Sequence, residues 1–124
     1  MEITIRQREY EKYLTILQIL ASLTNPSVAP FNRLRNRELE VFAILLYYYN
    51  DKYADIPKDK RNQLIFAYDT RVEICTLLGD VSIDTVYNVM MNLRKQGLIT
   101  KKEIVAKYIL PPTDHFKINF KDEK

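Results

Sequence analysis

The sequence predicts a mainly α-helical domain that ends in a small β-hairpin and carries an extra helix at its start. Three observations lead there. Apolar residues recur at helical spacing in stretches from residue 5 to residue 96. Gly79 and Gly97, the only glycines, each stand where such a stripe stops. The closing stretches "LITKKEIV" and "HFKINF" alternate apolar with polar residues instead, as half-buried strands do. The expected organisation is an N-terminal helix over 1–25, a linker over 26–35, the main domain over 36–121 and a tail over 122–124.

Residues 5–24, "IRQREYEKYLTILQILASLT", place Tyr10, Tyr13, Leu14, Leu17, Leu20 and Ala21 on one helical stripe. Ile16, Ile19 and Leu23 make a second stripe that one domain face cannot cover, so they are candidates for dimerisation. "TNPSVAP" interrupts the helix, since Pro26 and Pro30 each disfavour helix in the preceding residue. A helix is expected again over 36–53, capped by Asn36, with Glu38 in its first turn and Leu39, Phe42, Ala43, Leu46 and Tyr49 facing inward. Of Tyr47, Tyr48 and Tyr49, one ring is expected in the core and the others on its flanks.

A polar loop with Pro57, Lys58, Lys60 and Arg61 follows, and then "QLIFAY", aromatic and β-leaning, reads as a brief strand or extended connector. Asp69 or Thr70 is expected to cap a short helix through "RVEICTLLG" that Gly79 ends. Ser82 caps the next, whose inner stripe is Val86, Val89, Met90 and Leu93 and whose stop is Gly97. The two last strands would pair across the Pro-Pro turn of "AKYILPPTD".

The chain of 124 residues suits one domain, and 47% hydrophobic residues suit a folded one. The net charge of +3, from 19 basic and 16 acidic residues, is too mild to coat nucleic acid by charge alone. Cys75 is the only cysteine, so no internal disulfide can form and core packing is its expected role. The start is charged where a signal peptide is apolar, and no apolar run reaches the roughly 18 residues of a membrane span. A cytoplasmic protein is expected, in a host cytoplasm if the gene is viral.

Catalysis has little to stand on. His115 is the only histidine, no Cys/His set can hold zinc, and two glycines cannot build a phosphate-cradling loop. Glu38 and Glu40 read as surface charge rather than as a paired acid and base. No enzyme, metal or cofactor is expected.

"RVEICTLLGDVSIDTVYNVMMNLRKQGLI" resembles a winged helix-turn-helix domain. The residues that carry the resemblance are Ile74, Leu78, Gly79, Ser82, Thr85, Val86, Leu93, Gly97, Leu98 and Ile99. It is tight over 69–102, looser over 36–121, and leaves the first helix out. With "RELEVFAILLYYYN" in front, the chain is also similar in style to small winged-helix proteins of bacteriophages and related mobile elements.

The resemblance implies a protein that binds double-stranded DNA, a small regulator of transcription or replication acting as a homodimer. The helix from Ser82 to Gln96 would enter the major groove, with Ser82, Thr85, Tyr87, Asn88, Asn92 and Lys95 as contacts. Asn88 and Asn92, one turn apart, suit bidentate bonds to adenine. Lys101, Lys102 and Lys107 would sit on the wing near phosphates. Arg33, Arg35 and Arg37 would add a flanking contact if the helix after them points its start at the duplex.

The same residues hold a counter-argument. From 69 to 93, Arg71 is the one basic residue against Asp69, Glu73, Asp80 and Asp84, whereas 94–107 is strongly basic. Asp84 also complements the helix dipole without any functional role. The competing expectation is therefore a protein-interaction or structural module, a virion component or a modulator of a host machine, on the same scaffold.

Overall fold

The protein is represented by a computed structural model in which residues 2–23 and 30–109 are described, residues 2–9 by their backbone alone. Its helices are α1 (Glu2–Ser22), α2 (Asn36–Tyr47), α3 (Lys58–Ile65), α4 (Tyr68–Leu77) and α5 (Ile83–Lys95). A π-helical turn, Tyr48–Lys52, prolongs α2, and short 3-10 turns occupy Phe31–Arg33 and Ala106–Tyr108.

The centre is α2. Every side chain from Val41 to Tyr49 is buried, because "VFAILLYYY" has no polar side to turn outward and a helix apolar all round must be enclosed. All three tyrosines in the run are core, against the expectation of one. A helix covered on one face would have left two rings outside, but α1 and α5 pack on α2, and α3 and α4 meet its π-helical end. Each fully buried Leu or Ile here contributes about 1.5–3 kcal/mol.

α1 runs antiparallel along α2 and buries Tyr10, Tyr13 and Leu17 against it. The direction is read from the polar contacts at the two ends. Tyr13 Oη donates to Asp51 Oδ2 at 3.1 Å, with Lys12 Nζ 3.3 Å from the same oxygen. Gln18 Nε2 donates to Asn36 Oδ1 at 3.2 Å. Across α2, the Tyr48 hydroxyl and the Lys52 ammonium both reach Glu73 Oε1 at 2.8 Å, fixing α4.

The expected strand at "QLIFAY" is corrected: its first three residues complete α3, which starts on Pro57. An extended strand there needs a neighbour for its N–H groups, and the described residues contain no strand to supply one. Lys, Arg, Gln and Leu are good helix formers, and the helix places Ile65 in the core. Arg61 folds back to donate to the carbonyls of Ala54 and Ile56, both at 2.8 Å, so it ties down the preceding loop. Neither expected cap of α4 acts as one. Ala67 precedes the helix, and buried Thr70 instead donates to Leu64 O at 2.6 Å, closing the α3–α4 corner.

The β-hairpin wing is also corrected, and with it the mixed α-and-hairpin fold class: the described domain is helical. "LITKKEIV" is not one strand. Val105 N–H donates to Leu98 O at 3.0 Å and Thr100 N–H to Glu103 O at 2.8 Å, with a single antiparallel bridge between Ile99 and Ile104. Four polar residues in succession, Thr100 to Glu103, make the reversal, and the apolar pairs beside them supply Leu98, Ile99 and Ile104 to the core. The other expected strand, "HFKINF", the Pro-Pro turn and the tail 122–124 lie outside the described residues, as does 24–29 of the linker.

Burial, reinforced by Asp51 beside Tyr13 and by Glu73 beside Tyr48, raises both phenol pKa values above the usual 10.0. A raised folded-state pKa gives stability that is whole below the unfolded value and is lost as pH climbs above it. Unfolding free energy should therefore fall above about pH 10, the unfolded phenol range. Tyr13→Phe with Tyr48→Phe should flatten that fall relative to neutral pH. Urea titrations across the alkaline range measure it, and an identical fall in the double variant would contradict this account.

Candidate nucleic-acid interface

The turn between α4 and α5 is set by two successive left-handed residues, Gly79 (φ +90°) and Asp80 (φ +61°). Glycine takes this conformation freely and aspartate is among the few residues that tolerate it. Gly79 N–H then donates to Thr76 O at 3.1 Å and Val81 N–H to Cys75 O at 3.2 Å. Ser82 begins α5 as expected: its Oγ accepts from Thr85 N–H at 3.1 Å, and the two hydroxyls share a hydrogen bond of 2.8 Å. Ser82 and Thr85 thus hold the helix start, which limits what they can offer a ligand.

Val86, Met90 and Leu93 of α5 are buried, and Val89 packs partly against the same core. The opposite face carries Asp84, Tyr87, Asn88 and Lys95 in solvent, with Tyr87 49% exposed. Among the sequence-derived contacts on this helix, Tyr87, Asn88 and Lys95 are free to meet a partner.

Asn92 is not. Its amide donates to Glu38 Oε2, so the second half of the expected asparagine pair faces α2. Glu38 is only 8% exposed, and its other oxygen accepts from Arg35 N–H at 2.8 Å. Arginine has no acceptor atom, so this is the glutamate half of a capping box alone. The reading of Glu38 as surface charge is corrected, and the bidentate adenine contact from Asn92 falls with it. Asn36, the expected cap, is instead the first residue of α2 behind Arg35, and this one-residue shift places Glu38 where its carboxylate reaches back to the Arg35 N–H.

Arg37 makes a second link between α2 and the turn, with a guanidinium nitrogen 3.4 Å from Leu78 O and 3.9 Å from Glu40 Oε1. Lys101 and Lys102 project from the reversal after α5, where Thr100 Oγ1 accepts from the N–H groups of Lys102 and Glu103, both at 3.1 Å. Asp59, Asn62 and Gln63 of α3 share an open groove with these lysines and Glu103. Lys107 is exposed, its ammonium 5.1 Å from the Tyr108 ring centre. Of the candidate dimer stripe, Ile19 and Leu23 are 49% and 44% exposed, while Ile16 is half-buried.

Among the described residues no group of three His, Cys, Asp or Glu could hold a metal ion, and no helix is long and apolar enough to cross a membrane. His115 lies outside them.

Asn92→Ala should cost about 1–3 kcal/mol of stability, because it leaves a buried carboxylate oxygen unpaired. Asn88→Ala, on the exposed face of the same helix, should stay within about 0.5 kcal/mol. Chemical unfolding of the two variants makes the comparison, and equal losses would overturn the division between inward and outward asparagines.

Comparison with protein-family models, curated proteins and solved structures found no match.

Proposed function

We propose that the chain is a non-enzymatic DNA-binding protein of the cytoplasm, a small regulator of transcription or replication in the style of phage-encoded helix-turn-helix proteins. The observation that carries this reading is the outer face of α5. Tyr87, Asn88 and Lys95 lie exposed on a helix whose start is fixed by Ser82 and whose other face is locked into the core. A rigid helix with an amide, a ring and an ammonium outward can offer base-edge and phosphate contacts together. Lys101 and Lys102 supply sequence-independent attraction beside it.

A protein-docking role is the second reading. Leu64, Tyr68 and Val72, spaced four residues apart across the α3–α4 corner, are 39%, 60% and 43% exposed. That apolar run suits a protein surface better than a duplex.

Fluorescence anisotropy with a selected duplex and a scrambled one, at several salt concentrations, decides between them. Asn88→Ala should weaken the selected site by about 1–3 kcal/mol and the scrambled one little. Lys101→Ala and Lys102→Ala should weaken both alike and reduce the salt slope by about one unit each. Asp84→Asn should tighten both by removing a repelling charge. Failure of any duplex to bind below about 100 μM at moderate salt, weaker than ordinary non-specific binding, would discard the DNA reading.

Dimerisation through α1 belongs to the same proposal, since two-fold proteins read two half-sites. Deleting α1 would remove Tyr10, Tyr13 and Leu17 and so uncover α2, and the informative variant is therefore Ile19→Glu with Leu23→Glu. Sedimentation should show a dimer for the unaltered chain and a monomer for this variant. A monomer in both ends the idea.

A further inference from the structure

We infer that Arg33, Arg35 and Arg37 form a phosphate-gripping edge beside the α4–α5 turn, holding the nucleic-acid backbone while α5 faces the bases. The inference rests on the DNA reading above and extends it to residues outside α5 and the lysine turn. All three arginines are exposed, and each stands on backbone fixed by the fold. Arg33 closes the 3-10 turn anchored by Phe31, whose ring is buried against Phe42 at 6.0 Å and Tyr108 at 5.7 Å between centres. Arg35 has its N–H held by Glu38, and Arg37 leans on Leu78 O at 3.4 Å.

The last contact places the start of α2 at the turn, and the Glu38–Asn92 bond places the same start against the C-terminal half of α5. The start of α2 therefore lies along the helix pair, with Arg37 at its turn. Lys95, exposed one turn beyond Asn92, continues the positive edge.

Nearby acids lower the charge of this edge without cancelling it: Glu38 is buried and turned onto the Arg35 N–H and the Asn92 amide, and Glu40 lies 3.9 Å from Arg37. Among the described residues, Arg33 and Arg35 have no acidic partner. The positive end of the α2 dipole adds to the field. Arginine forks present parallel donors that fit phosphate oxygens two at a time, which makes a sugar-phosphate backbone the chemistry this edge fits.

The test uses the full chain on a scrambled and a selected duplex. Arg33→Gln, Arg35→Gln and Arg37→Gln together should lower the slope of log affinity against log salt by about two to three units, at about 0.9 per phosphate lost. The loss should be equal on both duplexes, leaving their affinity ratio intact, with thermal stability little changed, since Arg33 and Arg35 are exposed and Arg37 gives up only its 3.4 Å contact to Leu78 O and its 3.9 Å pairing with Glu40. The matching triple lysine variant should keep most of the slope. A glutamine variant with an unaltered slope would overturn the arginine edge, and it would do so even where Asn88→Ala abolishes sequence preference and so upholds α5 as the reader. No binding of the unaltered chain to either duplex would end both readings. Binding to anionic phospholipid vesicles in place of duplex would assign the arginines to a membrane surface and overturn the inference.

Discussion

The rest of the domain depends on enclosing α2. From Val41 to Tyr49 the helix has no side that water can accept, so α1 and α5 pack along it and α3 and α4 close its π-helical end. That demand explains why α1 is not a detached appendage. Its Tyr10, Tyr13 and Leu17 are part of the wall, and its polar contacts with Asp51 and Asn36 hold it in register. It also explains how Tyr13 and Tyr48 come to be buried. Each keeps its hydroxyl on a carboxylate near the rim, Asp51 or Glu73, so a large ring can be buried without an unpaired polar atom.

Enclosure fixes where helices lie, whereas Glu38 fixes how two of them meet. One carboxylate caps the start of α2 through Arg35 N–H and receives the Asn92 amide from α5. A buried carboxylate with both oxygens occupied is directional in a way that Leu-on-Leu packing is not, so it sets the rotation of α5 about its axis as well as its position. With Asn92 inward and Val86, Met90 and Leu93 in the core, the outward set is decided: Asp84, Tyr87, Asn88 and Lys95.

Local signals in the sequence were legible where a single residue type does one job. Gly79 as a stop, Ser82 as a cap, and the stripe Val86–Met90–Leu93 all stand as read. What was not legible depended on distant partners. Helical spacing puts Asn88 and Asn92 on adjoining positions of one face, and only the approach of Glu38 separates them. In the same way, "QLIFAY" has strand-like composition, but a strand needs a neighbour and none is present among the described residues. "LITKKEIV" alternates on paper, although its four central polar residues favour reversal, and the apolar pairs beside them gain burial only if the chain turns back.

The distribution of charge then bears on how such a surface could approach a polyanion. The turn and the first turn of α5 carry Asp80 and Asp84, both exposed, which oppose an approach led by the turn alone. The arginines at the start of α2 stand beside that turn, where Arg37 reaches Leu78 O, while Lys95 lies at the end of α5 and Lys101 and Lys102 follow it in the chain. A net charge of +3 is small, but a protein feels a duplex through its nearest charges, because beyond about 8 Å at physiological salt the rest are screened. An approach led by the arginines and Lys95 brings cations within that distance first, although Asp80 stays near the arginine end. On the proposed DNA reading it would also set the order of contact, phosphates before Asn88 and Tyr87 reach a base edge. On this geometry the acidic turn limits the angle at which α5 can enter a groove, and so contributes to orientation even though it weakens attraction.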